Sequence, residues 1–355
     1  MSALTENDPT KNFIYQSGAL DLLGFNYKHE FYPKFPEVYP GQKFIASETM
    51  SALQTRGYYE MPSDSIQRWP TAHDAPLIGA NDACLVSAYD NISSYWGSTH
   101  EETWKVIKKH DFISGMYVWT GFDYIGEPSP YPWPARSSYF GIVDLAGFPK
   151  DVYYMYQGEW TTKDVLHLFP HWNWKAGQTV DVWAYYNNAD EVELFLNGKS
   201  QGIRKKSGDE LHVMWRVKYE AGVIKAISRK DGKIVLEREV RTAGAPARIE
   251  LTADRSVIGN DGRDLSFVTV RILDKDGVMV PDASNLVQFS IEGSGFIAGV
   301  DNGYQASMES FKAKERKAFN GMCLAIVQNN GKYGEVKLKA SSAGLSDCMV
   351  SITCR

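Results

Sequence analysis

The spacing of apolar residues changes partway along the chain, and that change limits what the chain can fold into. From about residue 163 it has a period of two. Thr179-Val180-Asp181-Val182-Trp183-Ala184-Tyr185-Tyr186 alternates, and Glu191-Val192-Glu193-Leu194-Phe195-Leu196 alternates again before Asn197-Gly198. A period of two marks strands with alternate side chains on opposite faces, and Asn-Gly after such a run is the strongest short signal for a two-residue hairpin. Val213–Val217, Gly222–Ser228 and Ile234–Val240 complete a small antiparallel sandwich, and Ala243-Gly244-Ala245-Pro246-Ala247 reads as a linker. Beyond it, Arg248–Ala253, Leu265–Asp274, Val287–Ile291, Met322–Gln328, Gly334–Ser341 and Asp347–Thr353 are short strand-like runs separated by turn residues, at the spacing of a second sandwich.

The first 160 residues differ in kind. Leu22–Tyr27, Lys43–Ser47 and Phe112–Trp119 read as short buried strands, and Asp82–Trp96 and His100–His110 as helices. The second helix has Thr99 as a cap, acids early (Glu101, Glu102) and bases late (Lys105, Lys108, Lys109), an order that suits the helix dipole. Strand–helix alternation predicts a parallel sheet or an α/β barrel. All but two of the 15 prolines lie at or before Pro170, and every tryptophan lies at or before Trp215. The 355 residues therefore divide into an α/β part over 1–162 and two β-sandwiches over 163–243 and 246–355.

Composition removes several function classes. Apolar residues make up 43%, charged residues 23%, and the formal net charge is −5 with no basic run, which argues against nucleic acid as a partner. No stretch reaches the roughly 20 apolar residues of a membrane span, and nothing at the N-terminus reads as a signal peptide. Cys84, Cys323, Cys348 and Cys354 lack zinc-ligand or CxxC spacing, and the seven histidines show no HExxH, so no metal ligands are assigned. Cys323 and Cys348 fall on strands of the last segment that could be neighbours, which leaves both a bridge and two buried thiols open. Aromatic residues reach 13%, with ten tryptophans. Flat rings suit the C–H faces of sugars, and they suit an ordinary core equally well.

The chemistry-bearing feature is Ile45-Ala46-Ser47-Glu48-Thr49. It puts a carboxylate at the C-terminal end of a strand, the active-site face of an α/β barrel. A glutamate that merely caps the next turn is the other reading. Asn26-Tyr27 ends the preceding strand and Trp119 the following one, so all three project onto one rim. A tyrosine hydroxyl beside a carboxylate can hold it ionised and oriented, and an indole can form the wall against which a pyranose stacks. Three buried aromatics at strand ends would leave the same pattern.

Several longer motifs then carry a family resemblance: Leu23-Gly24-Phe25-Asn26-Tyr27, Phe44-Ile45-Ala46-Ser47-Glu48-Thr49 with Thr55-Arg56-Gly57, Val118-Trp119-Thr120-Gly121-Phe122-Asp123-Tyr124-Ile125-Gly126-Glu127, and Ser138–Asp151. In this order they resemble the C-terminal part of the catalytic barrel of family 2 glycoside hydrolases, closest to the β-galactosidases. The sandwich around Asn197-Gly198 is similar to the Ig-like domain that follows the barrel in some members. The resemblance implies a partial TIM (β/α)8 barrel, about its last four strands with Met1–Leu4 as the fifth of eight, followed by two Ig-like β-sandwiches. It implies a retaining β-glycosidase acting on terminal β-linked sugars, galactosides above all. Glu48 matches the nucleophile, Tyr27 the residue that orients it, and Trp119 the aromatic floor of the sugar subsite. Asn26, Asp123 and Glu127 lie in matching stretches as substrate-binding residues. No cofactor is required, and a structural or site metal ion stays open. The likeness points to a periplasmic or extracellular full-length protein.

One part is missing. A retaining glycosidase needs a second carboxyl as acid/base about 5–5.5 Å from the nucleophile. In the family that glutamate directly follows an asparagine, and no Asn-Glu occurs in this chain. Glu30 and Glu127 are the remaining acids near the rim, while Glu101 and Glu102 are expected at an exposed helix start. The expectation is a chain inactive by itself. Two non-catalytic alternatives are a carbohydrate-binding fragment with Trp172, Trp174 and Trp183 as its platform, against a sandwich core built from the same trio, and a spacer role for residues 246–355.

Overall fold

The structure, a computed structural model, describes residues 3–4, 13–77 and 79–355. It is mostly β. Four short strands run parallel in sequential order: β1 Ala3–Leu4, β2 Leu23–Asn26, β3 Phe44–Glu48 and β4 Ile113–Met116. Of the stretch expected to lead into this sheet, Met1 and Ser2 lie outside the described residues. Leu23, Phe25, Phe44, Ala46 and Ile113 bury one continuous core with Tyr32, Phe35, Tyr39 and Ile107. Parallel strands end on the same side. Asn26 and Glu48 are register partners across a bulge at Phe25/Asn26, and Ala46 pairs with Met116, so the residues beyond Met116 continue onto the same rim.

The helix expected from Thr99 forms as α1, His100–Ile107. Thr99 Oγ1 accepts from the Glu102 N–H at 3.3 Å, and the Glu102 carboxylate accepts from the Thr99 N–H at 2.9 Å, a complete capping box. Glu101 is buried rather than exposed. The first sandwich packs over the start of the helix, and His212 Nδ1 lies 2.6 Å from the Glu101 carboxylate. The expected helix over Asp82–Trp96 does not form. The stretch runs through turns and irregular backbone, with Ile92–Ser93 pairing as a two-residue strand against Gln67–Arg68. Its backbone groups are taken by a neighbouring segment instead: Thr55 N–H donates to the Val86 carbonyl at 2.9 Å and Leu53 N–H to the Ile92 carbonyl at 3.0 Å. The Asn81 side chain bonds both backbone groups of Leu85, and Cys84 sits at φ +50°, outside helical space. A second helix, α2 Asp151–Trp160, has no counterpart among the sequence expectations. Its tyrosines and Gly158 are weak helix formers, and its Val152, Met155 and Tyr156 are buried with Trp183 and Tyr185, so packing sustains it.

Residues 166–241 form two facing sheets. One has four strands (Glu191–Leu196, Lys199–Arg204, Val223–Lys230, Lys233–Arg241) and the other three (Leu166–Phe169, Thr179–Tyr186, His212–Lys218). Asn197 (φ +50°) and Gly198 (φ +79°) make the expected hairpin, with Leu196 opposite Lys199. Thr179–Tyr186 is buried on both faces. Val180, Val182 and Ala184 enter the sandwich core with Trp172 and Trp215, while Trp183 and Tyr185 pack on the parallel-sheet segment. Residues 248–354 form a four-stranded and a five-stranded sheet around a core that includes Val268, Val270, Cys323, Ala325, Val336 and Leu338. All four cysteines are free, and Cys323 and Cys348 belong to different sheets. Arg56 ties this unit to the first segment. Its Nε pairs with buried Asp144 at 2.6 Å, and its Nη2 donates to the carbonyls of Asn302 and Phe319 at 3.0 and 3.1 Å.

Candidate active site

The parallel sheet delivers Glu48 to the rim as the last residue of β3, half-buried. Tyr27, one residue past β2, hydrogen-bonds it twice: the Tyr27 hydroxyl donates to Glu48 Oε1, and the Tyr27 N–H donates to the Glu48 carbonyl. Tyr27 and Lys28 both lie in the left-handed region, at φ +50° and +48°. For non-glycine residues that conformation costs of order 1–3 kcal/mol each, and such strain concentrates at functional sites. Burial, then the bond and charge of Glu48, push the Tyr27 hydroxyl far above its ordinary range, with the Trp96 indole opposing and the Glu127 charge adding to the rise. Tyr27 is therefore a neutral donor at all ordinary pH values. Asn26 accepts from Ser47 Oγ at 2.8 Å, which fixes its amide beside the Glu48 strand end.

A second wall comes from the segment after β4. Trp119 meets Tyr124 edge to face at 5.9 Å, and the Tyr124 hydroxyl donates to the Glu127 carboxylate. Burial and the Glu127 bond push the Tyr124 hydroxyl up as well, the Trp119 indole pulls it back, and the Glu48 charge adds to the rise. Glu48, Tyr27, Trp96, Trp119, Tyr124 and Glu127 thus form one electrostatic neighbourhood. Glu127 is exposed and again left-handed, at φ +46°.

Of the six residues singled out from sequence, Asp123 is the one turned inward. Its side chain has no solvent exposure and pairs with the equally buried Lys150 at 2.9 Å. It also accepts from the Gly141 N–H at 2.8 Å and from Gln305 Nε2 at 3.2 Å. Burial raises its carboxyl to about 7, against the pull of Lys150. Asp123 braces the wall from within and meets no solvent. Sequence reasoning does not single out Trp96 or Tyr124. Trp96 falls in the stretch expected as a helix that does not form, and Tyr124 stands inside a motif whose other members draw the attention. The tryptophans weighed as a platform are core or interface: Trp172 is 0% and Trp183 4% exposed, and Trp174 stacks on His171. A cleft of about 740 Å3 lies elsewhere, between Phe122 and Ile125 of the same wall and Phe267, Phe311 and Ile326 of the last unit, and none of the six clustered side chains lines it. Among the described residues, no group of three or more His, Cys, Asp and Glu side chains could hold a metal ion, and no helix is long and apolar enough to cross a membrane.

The site thus holds a carboxylate gripped by a phenol, with Trp96 beside Tyr27 and Trp119 beside Tyr124. Comparison with known proteins places the chain as a whole among its relatives. Residues 249–351 match glycoside hydrolase family 2 C-terminal domain 5, and residues 177–236 match a domain of unknown function, DUF4982. The β-galactosidase BoGH2A of Bacteroides ovatus is 58% identical over 98% of this chain, which covers 41% of that protein. A β-glucuronidase of Formosa agariphila is 27% identical over 60% of the chain, which covers 22% of it. A solved β-glycosidase from Bacteroides vulgatus superposes with a TM-score of 0.84 and 31% identity, covering 94% of this chain and 45% of that one. The names these relatives carry, β-galactosidase, β-glucuronidase and β-glycosidase, are those of O-glycosyl hydrolases. The chain belongs to glycoside hydrolase family 2, and it spans less than half the length of these relatives.

Proposed function

We propose that the chain carries the nucleophile side of a retaining β-glycosidase acting on terminal β-linked galactosides. In this reading residues 1–162 are the closing part of a TIM barrel, and 163–243 and 246–355 are Ig-like sandwiches. The observation that carries it is the Tyr27–Glu48 hydrogen bond at the C-terminal rim of parallel strands, with Trp96 and Trp119 alongside. Glu48 attacks the anomeric carbon and forms a glycosyl ester as the bond to the leaving oxygen breaks; water then releases the sugar. Tyr27, always protonated, engages Oε1 and leaves Oε2 as the attacking oxygen. Trp119 stacks on the ring, and Asn26 and Glu127 meet its hydroxyls.

Electrostatics favour a neutral sugar over a uronic acid. The charges that act on both Tyr27 and Tyr124 are those of Glu48 and Glu127. A uronate would bring a third carboxylate among them, at a cost of about 1–4 kcal/mol per close pair. The likeness to a β-galactosidase at 58% identity supports the same choice. The acid/base carboxyl is assigned outside these 355 residues, so the chain alone does not hydrolyse unactivated galactosides. General acid catalysis contributes about 10²–10⁴-fold, and a leaving group that needs no proton avoids that loss.

Dinitrophenyl 2-deoxy-2-fluoro-β-galactoside is therefore the decisive probe, because it requires only the nucleophile. The expected result is a covalent adduct at Glu48, absent in Glu48→Gln and slowed in Tyr27→Phe, with lactose left intact by the chain. An adduct at another residue, or lactose turnover that Glu48→Gln abolishes, overturns the assignment of nucleophile or of missing acid respectively.

A further inference from the structure

We propose that Gln305, a residue of the last sandwich, is a positioning residue for the aromatic wall that presents Trp119, Tyr124 and Glu127 to the sugar; this rests on reading the Glu48 cluster as a sugar site. The wall is not built as a regular strand. It is held by scattered bonds to the returning segment, among them the Asp123 N–H to the Val143 carbonyl at 2.9 Å and the Ser138 N–H to the Tyr124 carbonyl at 2.8 Å. The two segments approach so closely at Gly141 that an added Cβ would fall 2.1 Å from the Asp123 nitrogen.

Gln305 reaches both segments. It is 1% exposed. Its Nε2 donates to Asp123 Oδ2 and to the Gln54 carbonyl, each at 3.2 Å. Both neighbours are acceptors, so the amide nitrogen and not its oxygen must face them. Its backbone carbonyl accepts from the Arg136 N–H at 3.0 Å and the Ser137 N–H at 3.3 Å, at the point where the returning segment begins. The side chain thus grips the residue next to Tyr124, and the backbone grips the returning segment. Gln305 is separated from Asp123 by 182 positions in sequence. A buried amide with two donated bonds has one orientation available, and losing it frees the wall in a way that losing an exposed glutamine would not.

The test uses the 355-residue chain and peptide-resolved hydrogen exchange. Gln305→Met keeps the length and removes the donor. Its expected effect is exchange at least tenfold faster over residues 119–127, unchanged exchange over 322–329, and Glu48 labelling by the fluoro-galactoside slowed to a similar degree. Gln305→Glu separates hydrogen bonding from shape. Lys150 faces the same Asp123 carboxylate, with Asp144, Arg56 and Tyr139 beside it. At pH 5 the introduced carboxyl and Asp123 retain a proton to share, and protection is expected near wild type. At pH 8 both carboxyls are ionised, and protection over 119–127 is lost. Unchanged exchange over 119–127 in Gln305→Met overturns the proposal, as does a Gln305→Glu chain equally deprotected at both pH values. If Gln305→Met also loses protection over 322–329, the pH contrast in Gln305→Glu decides. A wild-type chain that takes no fluoro-galactoside label defeats the sugar reading, while the exchange result still decides whether Gln305 holds the wall.

Discussion

Trp183→Ala removes the side chain that fastens the first sandwich to the parallel-sheet segment, and the structure allows its cost to be worked out. The indole is 4% exposed. It stacks on His212 with ring centres 3.6 Å apart and planes 5° from parallel, lies 5.1 Å from Tyr89, and donates to Ser63 Oγ at 2.9 Å. Burying roughly 200 Å2 of indole is worth about 5 kcal/mol at 25 cal/mol per Å2. That figure is an upper bound because an unfolded chain already shelters part of the ring, and alanine keeps about 1 kcal/mol of it. The lost bond adds about 1 kcal/mol, and no more, since Ser63 Oγ still donates to Asp181 at 2.9 Å. The sum is at most about 5 kcal/mol, the upper end of the range of about 3–5 kcal/mol for truncating a core aromatic. Urea unfolding followed by circular dichroism measures it, and limited proteolysis shows whether cleavage opens between residues 160 and 180. Trp183→Phe retains a ring over His212 and is expected to lose about 1–2 kcal/mol. A loss below about 1 kcal/mol for Trp183→Ala, coupled to loss of galactoside binding, would refute the packing argument and restore Trp183 as a sugar platform.

Two further perturbations test the buried charges. Asp90 accepts from the N–H groups of His100 and Glu101 at 3.1 and 2.7 Å, yet burial and the nearby Glu101 charge raise its carboxyl to about 7. The folded chain therefore holds a proton that the unfolded chain releases above its ordinary value. Stability falls as pH rises from about 4 to 7, by at most about 1.4 kcal/mol per unit. Subtracting the stability profile of Asp90→Asn from that of wild type isolates this slope, and a flat difference refutes the assignment. Gly303→Ala sits at φ +75°, where its Cβ would fall 2.0 Å from Asp144 Oδ2. Asp144 cannot retreat from Arg56 without leaving a buried charge unpaired, so a loss of about 3 kcal/mol or more in thermal or urea unfolding is expected.

The sequence exposes what is encoded locally. Thr99 and Glu102 are three residues apart and satisfy each other's backbone groups, so the start of α1 is readable without tertiary information. The same holds for Asn197-Gly198, whose left-handed angles are a local preference. Glu48 is legible because a carboxylate closing a short apolar strand can go only to the strand's end. What escapes depends on partners far along the chain. The stretch 82–96 has helix-compatible residues, but Thr55 and Leu53 claim its backbone, and no local window contains that competition. Asp123 stands in the same motif as Trp119 and Tyr124, but an irregular segment has no period to say which way it points, and Lys150 and Gln305 turn a candidate sugar ligand into a brace. Glu101 follows the same course: helix periodicity places it at a solvated first turn, and His212, 111 residues later, covers it. The pattern has a physical reason. Groups that meet substrate must face solvent at element ends, where local rules place them. The groups that hold those ends rigid are buried polar residues whose cost is tolerable only with long-range partners. A site of this kind therefore shows its rim carboxylate in one strand of sequence and conceals its supports in the rest of the chain.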